Sequence, residues 1–483
     1  MKIAYVSFEV APLVKVGGLA DVAGALPKYI KKLGEEIYII MPFHKAIEKN
    51  CETWKIEKIK SGMKTQSHTF SGTFDVYETA MPDTDLKIYL IKNDSLFGTE
   101  EIYGYKDLAY QSSFFCDASI TLIKEIEPQT GVVNVNDWQT ALISVYLKTK
   151  YRDDPVLNKI ATVLTIHNLG FKGEFTSQSI TDAGLPSYLF NIDALEFYGN
   201  VNFLKGGIIF SDIINTVSKT YAEEIQTEEY GLGMDGVLRI RSDKLFGITN
   251  GIDYEIYDPK QSRNIYKPIT DYKSKMENKA RLQKDLGLNI NPNVPLISFV
   301  GRLYEQKGLD IINEIMDYLM LFDVQFVILG RGDPNYESIF KNYEEKYKGR
   351  FSANIKFDGL LAQQIYAGSD IFLMPSRYEP CGLGQMYAMR YGTVPVVRYT
   401  GGLADTVREY YPTTKLGTGF GFYDYEACRL LMSVAKAIYT YINSRDDWER
   451  IFENCMSQDF SYENTARQYK ELYKIAVSAK KKW

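Results

Sequence analysis

The chain has 483 residues, 24% of them charged and 45% hydrophobic, which supplies two or three domains with buried cores and excludes a mini-protein, a disordered chain and a fibre. Its 56 basic and 61 acidic residues leave a formal net charge of −5, which argues against a nucleic-acid partner held by phosphate neutralisation but leaves room for a local cluster that binds a small anion. The five cysteines are odd in number and form no Cys-x-x-Cys pair, and the three histidines (His44, His68, His167) have no His-Glu-x-x-His spacing, so neither a disulfide scaffold nor a metal centre is expected.

Ile3 to Phe8 opens the chain as a strand, and Glu9 interrupts it too soon for a signal segment. No apolar run later in the chain reaches membrane-spanning length, so the expectation is a cytoplasmic protein without a membrane partner. Next comes Lys15-Val16-Gly17-Gly18-Leu19-Ala20-Asp21, a glycine loop feeding a helix. An ammonium beside bare backbone amides suits a pyrophosphate; the alternative is a tight turn that packs helix on strand. The loop has neither P-loop nor Gly-x-Gly-x-x-Gly spacing, so kinase and dehydrogenase readings lose support. Pro27 predicts a kink or a late start in the helix. Glu36 to Met41 is a second strand. Val76 to Ala80 and Leu86 to Ile91 read as a hairpin, with Asp83-Thr84-Asp85 as its turn and not a metal-binding Asp-x-Asp. Strands follow at Val132 to Val135, Ala161 to Ile166 and Ile213 to Val217. The first of these runs into Asn136-Asp137-Trp138, which offers a carboxylate and an aromatic platform for a sugar ring; the alternative is a helix N-cap by Asp137 with Trp138 in the core. The second runs into His167-Asn168, where α/β sheets place chemistry. A break in the pattern between residues 247 and 265 suggests a boundary.

The pattern then restarts with strands at Pro295 to Val300, Val324 to Leu329, Asn354 to Phe357, Asp370 to Met374 and Val394 to Val397, so the fold class is α/β with two parallel sheets. After the first of these, Arg302 and Lys307 can clamp a diphosphate from one loop; the alternative, favoured when the loop is taken alone, is a solvated turn with a surface salt bridge to Glu305. Pro375 to Gln385 follows the fourth strand and carries Glu379, whose carboxylate can hold sugar hydroxyls or balance oxocarbenium charge; the alternative is a carboxylate that serves the dipole at a helix N-terminus. Cys381 has no nearby His and reads as a buried thiol. Gly401-Gly402-Leu403-Ala404-Asp405 repeats the first glycine loop letter for letter, with Arg398 nearby, and the pair favours ligand binding at both. Ser461 to Lys480 is a last helix with Tyr462, Ala466, Tyr469 and Tyr473 on one face, ending in a solvated tail, Lys480-Lys481-Lys482.

Several of these segments together resemble bacterial and plant-type glycogen and starch synthases over nearly the full length. They are Lys15 to Leu19, Asn136 to Trp138, His167 to Leu169, Asn202 to Gly207, Asn250 to Asp253, Gly301-Arg302 with Lys307-Gly308, Pro375 to Leu383 and Tyr399 to Leu403. The resemblance implies a retaining hexosyltransferase of the GT-B architecture, with two Rossmann-like domains facing across a cleft. Residues 1–250, joined by the last helix 461–483, form the acceptor-side domain, and 251–460 bind the nucleotide sugar. The implied reaction adds glucose from ADP-glucose to the 4-hydroxyl of an α-1,4-glucan primer, with no cofactor and no metal. Residue by residue, the resemblance makes Glu379, His167, Lys307 and Arg302 catalytic. It places Lys15, Gly17, Gly18, Asp21, Asn168, Asn250, Phe357, Gly382, Leu383 and Gly384 on the nucleotide sugar, and Glu9, Asp137 and Trp138 on the acceptor. Val16, Phe357 and Gly384 depart from the commoner family residues, as does Tyr462. The rival expectations are a UDP-glucose enzyme with a small acceptor and a catalytically silent glucan-binding protein.

Overall fold

A computed structural model describes residues 1–49, 51–65, 72–82 and 84–481. His68, Asp83 and Lys482 lie outside the described residues. The chain divides into two compact units, Met1–Gly251 with Tyr462–Trp483, and Ile252–Ser461. No helix among the described residues is long and apolar enough to cross a membrane.

The strands of the first unit are β1 (Lys2–Val6), β2 (Glu36–Pro42), β3 (Glu57–Lys64), β4 (Thr73–Ala80), β5 (Lys87–Lys92), β6 (Val132–Asn136), β7 (Ala161–Ile166), β8 (Glu174–Phe175), β9 (Glu196–Phe197), β10 (Asn200–Asn202), β11 (Ile213–Thr216) and β12 (Leu245–Gly247). Nine form one sheet in the order β12-β11-β7-β6-β1-β2-β5-β4-β3, and β8, β10 and β9 form a small separate sheet. From β12 to β5 every pairing is parallel, and β4 and β3 add an antiparallel edge. Strands β6, β7 and β11 are buried at every residue, as expected where helices cover both faces of a parallel sheet, and the polar residues among them, such as Asn134 and Asn215, are hydrogen-bonded inside the unit. The β4–β5 hairpin forms as expected.

The helix Gly18–Lys32 starts directly at the glycine loop and continues through Pro27, so the late start is not seen. A Cβ on Gly24 would lie 2.2 Å from the Ala11 carbonyl oxygen, so glycine is what lets this helix reach the loop after β1. The helix Tyr462–Lys480 packs its four predicted residues fully into this unit, each at most 1% exposed. Its Tyr469 hydroxyl accepts from Asn215 Nδ2 at 2.9 Å and its Tyr473 hydroxyl donates to Asn134 Oδ1 at 2.8 Å. Lys480 is no solvated tail: it ends the helix partly buried, near Lys148 and Asp212, and burial pushes its ammonium down to about 8.

The second unit holds β13 (Leu296–Val300), β14 (Gln325–Gly330), β15 (Phe351–Ile355), β16 (Ile371–Met374), β17 (Val394–Arg398) and β18 (Phe420–Phe422). They form one parallel sheet in the order β15-β14-β13-β16-β17-β18. β15 lies three residues earlier than expected at its start, because Phe351 to Ala353 are its buried positions and Phe357 lies beyond the strand's end.

Burial also sets an acid response. His44, at the exit of β2, donates from Nε2 to the Phe8 carbonyl at 2.9 Å, and burial pushes its imidazole down to about 4. An unfolded imidazole takes its proton near about 6.5, so the stability this group contributes is complete above that pH and falls as the pH drops toward the folded value. Linkage sets that loss at up to about 3 kcal/mol between pH 6.5 and 4. His44→Gln keeps a donor for the Phe8 carbonyl and does not titrate, so its urea midpoint is expected to fall less steeply than that of the parent over this range. Parallel slopes would show that His44 has no part in acid sensitivity.

Candidate active site

Open parallel sheets bind ligands where strand order reverses, beyond the carboxyl ends of the strands. In the first sheet that point lies between β1 and β6, and in the second between β13 and β16. Most predicted site residues of each unit lie on the loops that leave these strands and β7, while Asn250 follows β12 and Phe357 follows β15.

Beyond β1, Glu9 is buried and its carboxylate gathers three donors. The Val16 and Gly17 amides donate to Oε2 at 2.6 and 3.0 Å, and the Tyr103 hydroxyl donates to Oε1 at 2.5 Å. Two amides expected to be bare are thus held by a carboxylate of the same chain, and Glu9 shapes the glycine loop. Lys15 Nζ lies 2.7 Å from Asp21 Oδ1. Burial raises the Asp21 carboxyl above its usual value, opposed by the Lys15 ammonium. No atom lies within 4 Å of the position a Cβ on Gly17 would take, so the loop presents its backbone there to open space.

Asp137 begins the helix Asp137–Lys148 with a left-handed φ of +55°, a strained conformation for a non-glycine residue at a strand exit. Its Oδ1 accepts from the His167 amide at 2.7 Å and the Asn168 amide at 3.4 Å, so the carboxylate ties the exit of β6 to that of β7. Burial pushes this carboxyl up to about 7, despite the two amides, and the Glu9 charge adds to the shift. His167 is oriented from the side by Asn136. Asn136 Nδ2 donates to the Val6 carbonyl at 2.9 Å, which leaves its Oδ1 to accept from His167 Nε2 at 2.9 Å and from the Tyr5 hydroxyl at 3.0 Å. The imidazole therefore carries its proton on Nε2 and offers Nδ1 as an acceptor. Burial pushes it down to about 3, so it is neutral near pH 7 and serves as a hydrogen-bond partner, not a cation.

Trp138 is a correction. The residue is 7% exposed, and its ring packs against Phe175 at 5.5 Å and lies directly under Gly173, whose Cβ would fall 2.5 Å from the indole. The core reading holds, and this ring is no open sugar platform. Asn168 Oδ1 accepts from the Gly170 amide at 2.9 Å. Asn250 is 6% exposed, and its Oδ1 has no hydrogen-bond partner, which marks a buried polar atom open to a ligand donor. Lys205, in the segment Asn202 to Gly207, donates to the Ile192 and Glu196 carbonyls at 2.6 and 2.5 Å and so anchors a loop.

In the second unit the exits of β13 and β16 are knitted together. The Arg377 amide donates to the Gln306 carbonyl at 2.9 Å, and Gln306 Nε2 donates to the Tyr378 carbonyl at 2.8 Å. Gly308 has a φ of +79°, and a Cβ there would lie 2.1 Å from the Pro375 carbonyl oxygen, so only glycine permits the approach. This contact brings Lys307 Nζ to 2.5 Å from Glu379 Oε2, where Ser376 Oγ also donates at 3.0 Å. Arg302 stays exposed, 5.9 Å from the Tyr304 ring centre. Gly382, with a φ of +72°, turns the chain into the helix Gly384–Arg390, capped at Leu383. Phe357 is 86% exposed, which leaves its ring free to meet a planar ligand.

The second glycine pair does not play the part that its repeat of the first loop suggested. Gly401 (φ +46°) would place a Cβ 2.0 Å from the Glu379 carbonyl oxygen, and Gly402 would place one 2.1 Å from that of Cys381. Arg398 is occupied as well, donating to the Arg377 carbonyl at 2.7 Å and the Tyr423 carbonyl at 2.8 Å. The pair is therefore packing that seats Glu379. Residue spacing gave no sign of Tyr103, Asn136 or Ser376 as partners of Glu9, His167 and Glu379, because each contact joins segments through the fold or belongs to a hydroxyl with no local signature.

Residues 2–240 match the family described as the starch synthase catalytic domain, and residues 282–451 match the glycosyl transferases of group 1. The chain is 59% identical to a glycogen synthase of Petrotoga mobilis over 481 residues, with all of both chains covered. It is 54% identical to a glycogen synthase of Thermotoga maritima, with 99% of each covered. Among solved structures, the catalytic domain of starch synthase IV from Arabidopsis thaliana, bound to ADP and acarbose, superposes with a TM-score of 0.89 at 31% identity over 99% of each chain. A sucrose-phosphate synthase from Thermosynechococcus elongatus, at 16% identity and a TM-score of 0.62 over 99% of each chain, shares the fold.

Proposed function

Because the chain belongs to the glycogen synthase family, we propose that it transfers glucose from ADP-glucose to the non-reducing 4-hydroxyl of an α-1,4-glucan, with retention of configuration. The observation that carries this reading is the Lys307–Glu379 pair, 2.5 Å apart at the switch point of the second sheet, on a chain that resembles glycogen synthases from end to end. Charge develops on the diphosphate as the glycosidic bond breaks, and cations already in place stabilise it without reorganisation. Lys307 supplies a point charge and Arg302 a fork of donors. Glu379 balances the opposite charge that grows on the sugar.

In the first unit, Lys15 leaves Asp21 for the diphosphate, and Gly17 and Gly18 let backbone approach it. Asp21 then takes a ribose hydroxyl. His167 accepts a glucose hydroxyl at Nδ1, and Asn168 and Asn250 complete the sugar's hydrogen bonds. Phe357 flanks the adenine, and the chain turn at Gly382, Leu383 and Gly384 fits beside the nucleotide sugar. Glu9 and Asp137 act from the acceptor side, where they hold the glycine loop and the His167 loop in place. No metal enters this scheme.

The test is incorporation of labelled glucose into glycogen from ADP-glucose and UDP-glucose in parallel, with EDTA present throughout. ADP-glucose is expected to be the better donor. A preference for UDP-glucose would overturn the donor, loss of transfer in EDTA would overturn metal independence, and transfer to a small sugar alone would overturn the polymer acceptor.

A further inference from the structure

Two tight turns in the first unit depart from the residues such turns favour. The loop between β9 and β10 is two residues long, Tyr198-Gly199, with φ of +49° and +84°. Residues Gly231 to Met234 form another turn, closed by a 2.7 Å hydrogen bond from the Met234 amide to the Gly231 carbonyl, with Leu232 and Gly233 at +51° and +82°. Positive φ at both central residues is the I′ pattern, which strongly favours Asn, Asp or Gly in the first central place. A large side chain there is a genuine outlier. Both large residues are nonetheless exposed, Tyr198 at 81% and Leu232 at 46%, so burial in a core does not explain either.

The two turns meet. A Cβ on Gly233 would fall 3.1 Å from Tyr198 Cε2 and 3.2 Å from Phe197 Cζ. Lys172 joins them, donating to the Leu232 carbonyl at 3.0 Å, lying over the Phe197 ring and pairing with Glu174 at 3.0 Å. Glu196 Oε1 accepts from the Gly199 amide at 2.7 Å. The result is an exposed aromatic ring set against the turn that carries an exposed branched aliphatic residue, with a lysine and two carboxylates holding the pair of turns. Its small sheet covers Trp138, since Phe175 of β8 pairs with Val201 of β10 and packs on that indole.

We propose that Tyr198 and Leu232 form a glucan-binding platform that holds one glucosyl unit of the acceptor chain, an inference that rests on the glycogen synthase reading above. A sugar ring has one apolar face and a polar edge, which suits an amphipathic ring within a charged rim. A protein partner would need roughly 800 Å² on each side, far more than two side chains provide.

The test uses Tyr198→Asn, which installs the residue the turn favours, and Tyr198→Phe, which keeps the ring. Affinity for glycogen and maltoheptaose is measured without donor, by calorimetry and gel retardation, beside transfer kinetics. With Asn, glucan affinity is expected to fall and the acceptor KM to rise, each about five-fold, while the ADP-glucose KM and the melting temperature hold; Phe is expected to restore binding. Unchanged glucan affinity in the Asn variant, from a parent that binds and elongates glucan, would overturn the platform, as would a change of oligomeric state in its place. A parent that neither binds nor elongates glucan would instead overturn the functional reading itself.

Discussion

Glu379→Ala and Lys307→Ala should each lower turnover with ADP-glucose by about 10²- to 10³-fold, the effect of removing one preorganised group that stabilises transition-state charge. The two are not equivalent in stability. Removing Lys307 leaves the Glu379 carboxylate, 6% exposed, with Ser376 Oγ at 3.0 Å in place of its ammonium, and an uncompensated buried charge costs about 3 kcal/mol or more. Glu379→Gln keeps an acceptor for Ser376 and removes the charge, so it separates the chemistry from the fold. Steady-state kinetics beside urea denaturation decide the matter: near-parental turnover in a fully folded Glu379→Gln or Glu379→Ala variant would take this carboxylate out of the reaction.

The second large effect is expected from glycine to alanine changes at the two identical loops, which should behave in opposite ways. Gly401→Ala forces a methyl group to 2.0 Å from the Glu379 carbonyl oxygen at a left-handed φ. It is expected to cost about 3 kcal/mol and to lower turnover, because the segment it displaces carries Glu379. Gly17→Ala meets no atom within 4 Å and has an extended φ of −139°, so its stability should stay within about 0.5 kcal/mol of the parent. Its penalty should fall on the ADP-glucose KM. Equal melting temperatures for Gly401→Ala and the parent would refute the packing role.

These loops also show where sequence reading stops. The letters Gly-Gly-Leu-Ala-Asp are the same at residues 17–21 and 401–405, and one copy faces open space while the other lies under backbone from residues 379–381. Only the fold separates the two roles. The parallel strands were legible because burial on both faces favours short segments rich in Val, Leu and Ile, as in β6 and β7, where Asn, Thr or Ala takes the remaining places. β3 was not, since Met63 is its one buried residue and its edge position asks for no pattern. Glu379 and Lys307 could be chosen as charged residues on strand-exit loops, but their contact depends on Gly308 packing against Pro375, which is 67 residues away in the chain. Trp138 offered two readings, and Gly173 and Phe175, from a segment some 35 residues on, decided between them.

The return of the helix Tyr462–Lys480 to the first unit fixes an order of events during synthesis. Tyr469 and Tyr473 complete the hydrogen bonding of Asn215 and Asn134 inside that unit, yet they are made more than 200 residues after Gly251. At a ribosomal rate of about 5–20 residues per second, the first sheet waits about 10–40 s with this surface uncovered. The intervening unit, continuous from Ile252 to Ser461, can fold within that interval. The first unit is begun before its neighbour and finished after it, so a chain stalled before Tyr462 carries a folded insert on an incomplete host.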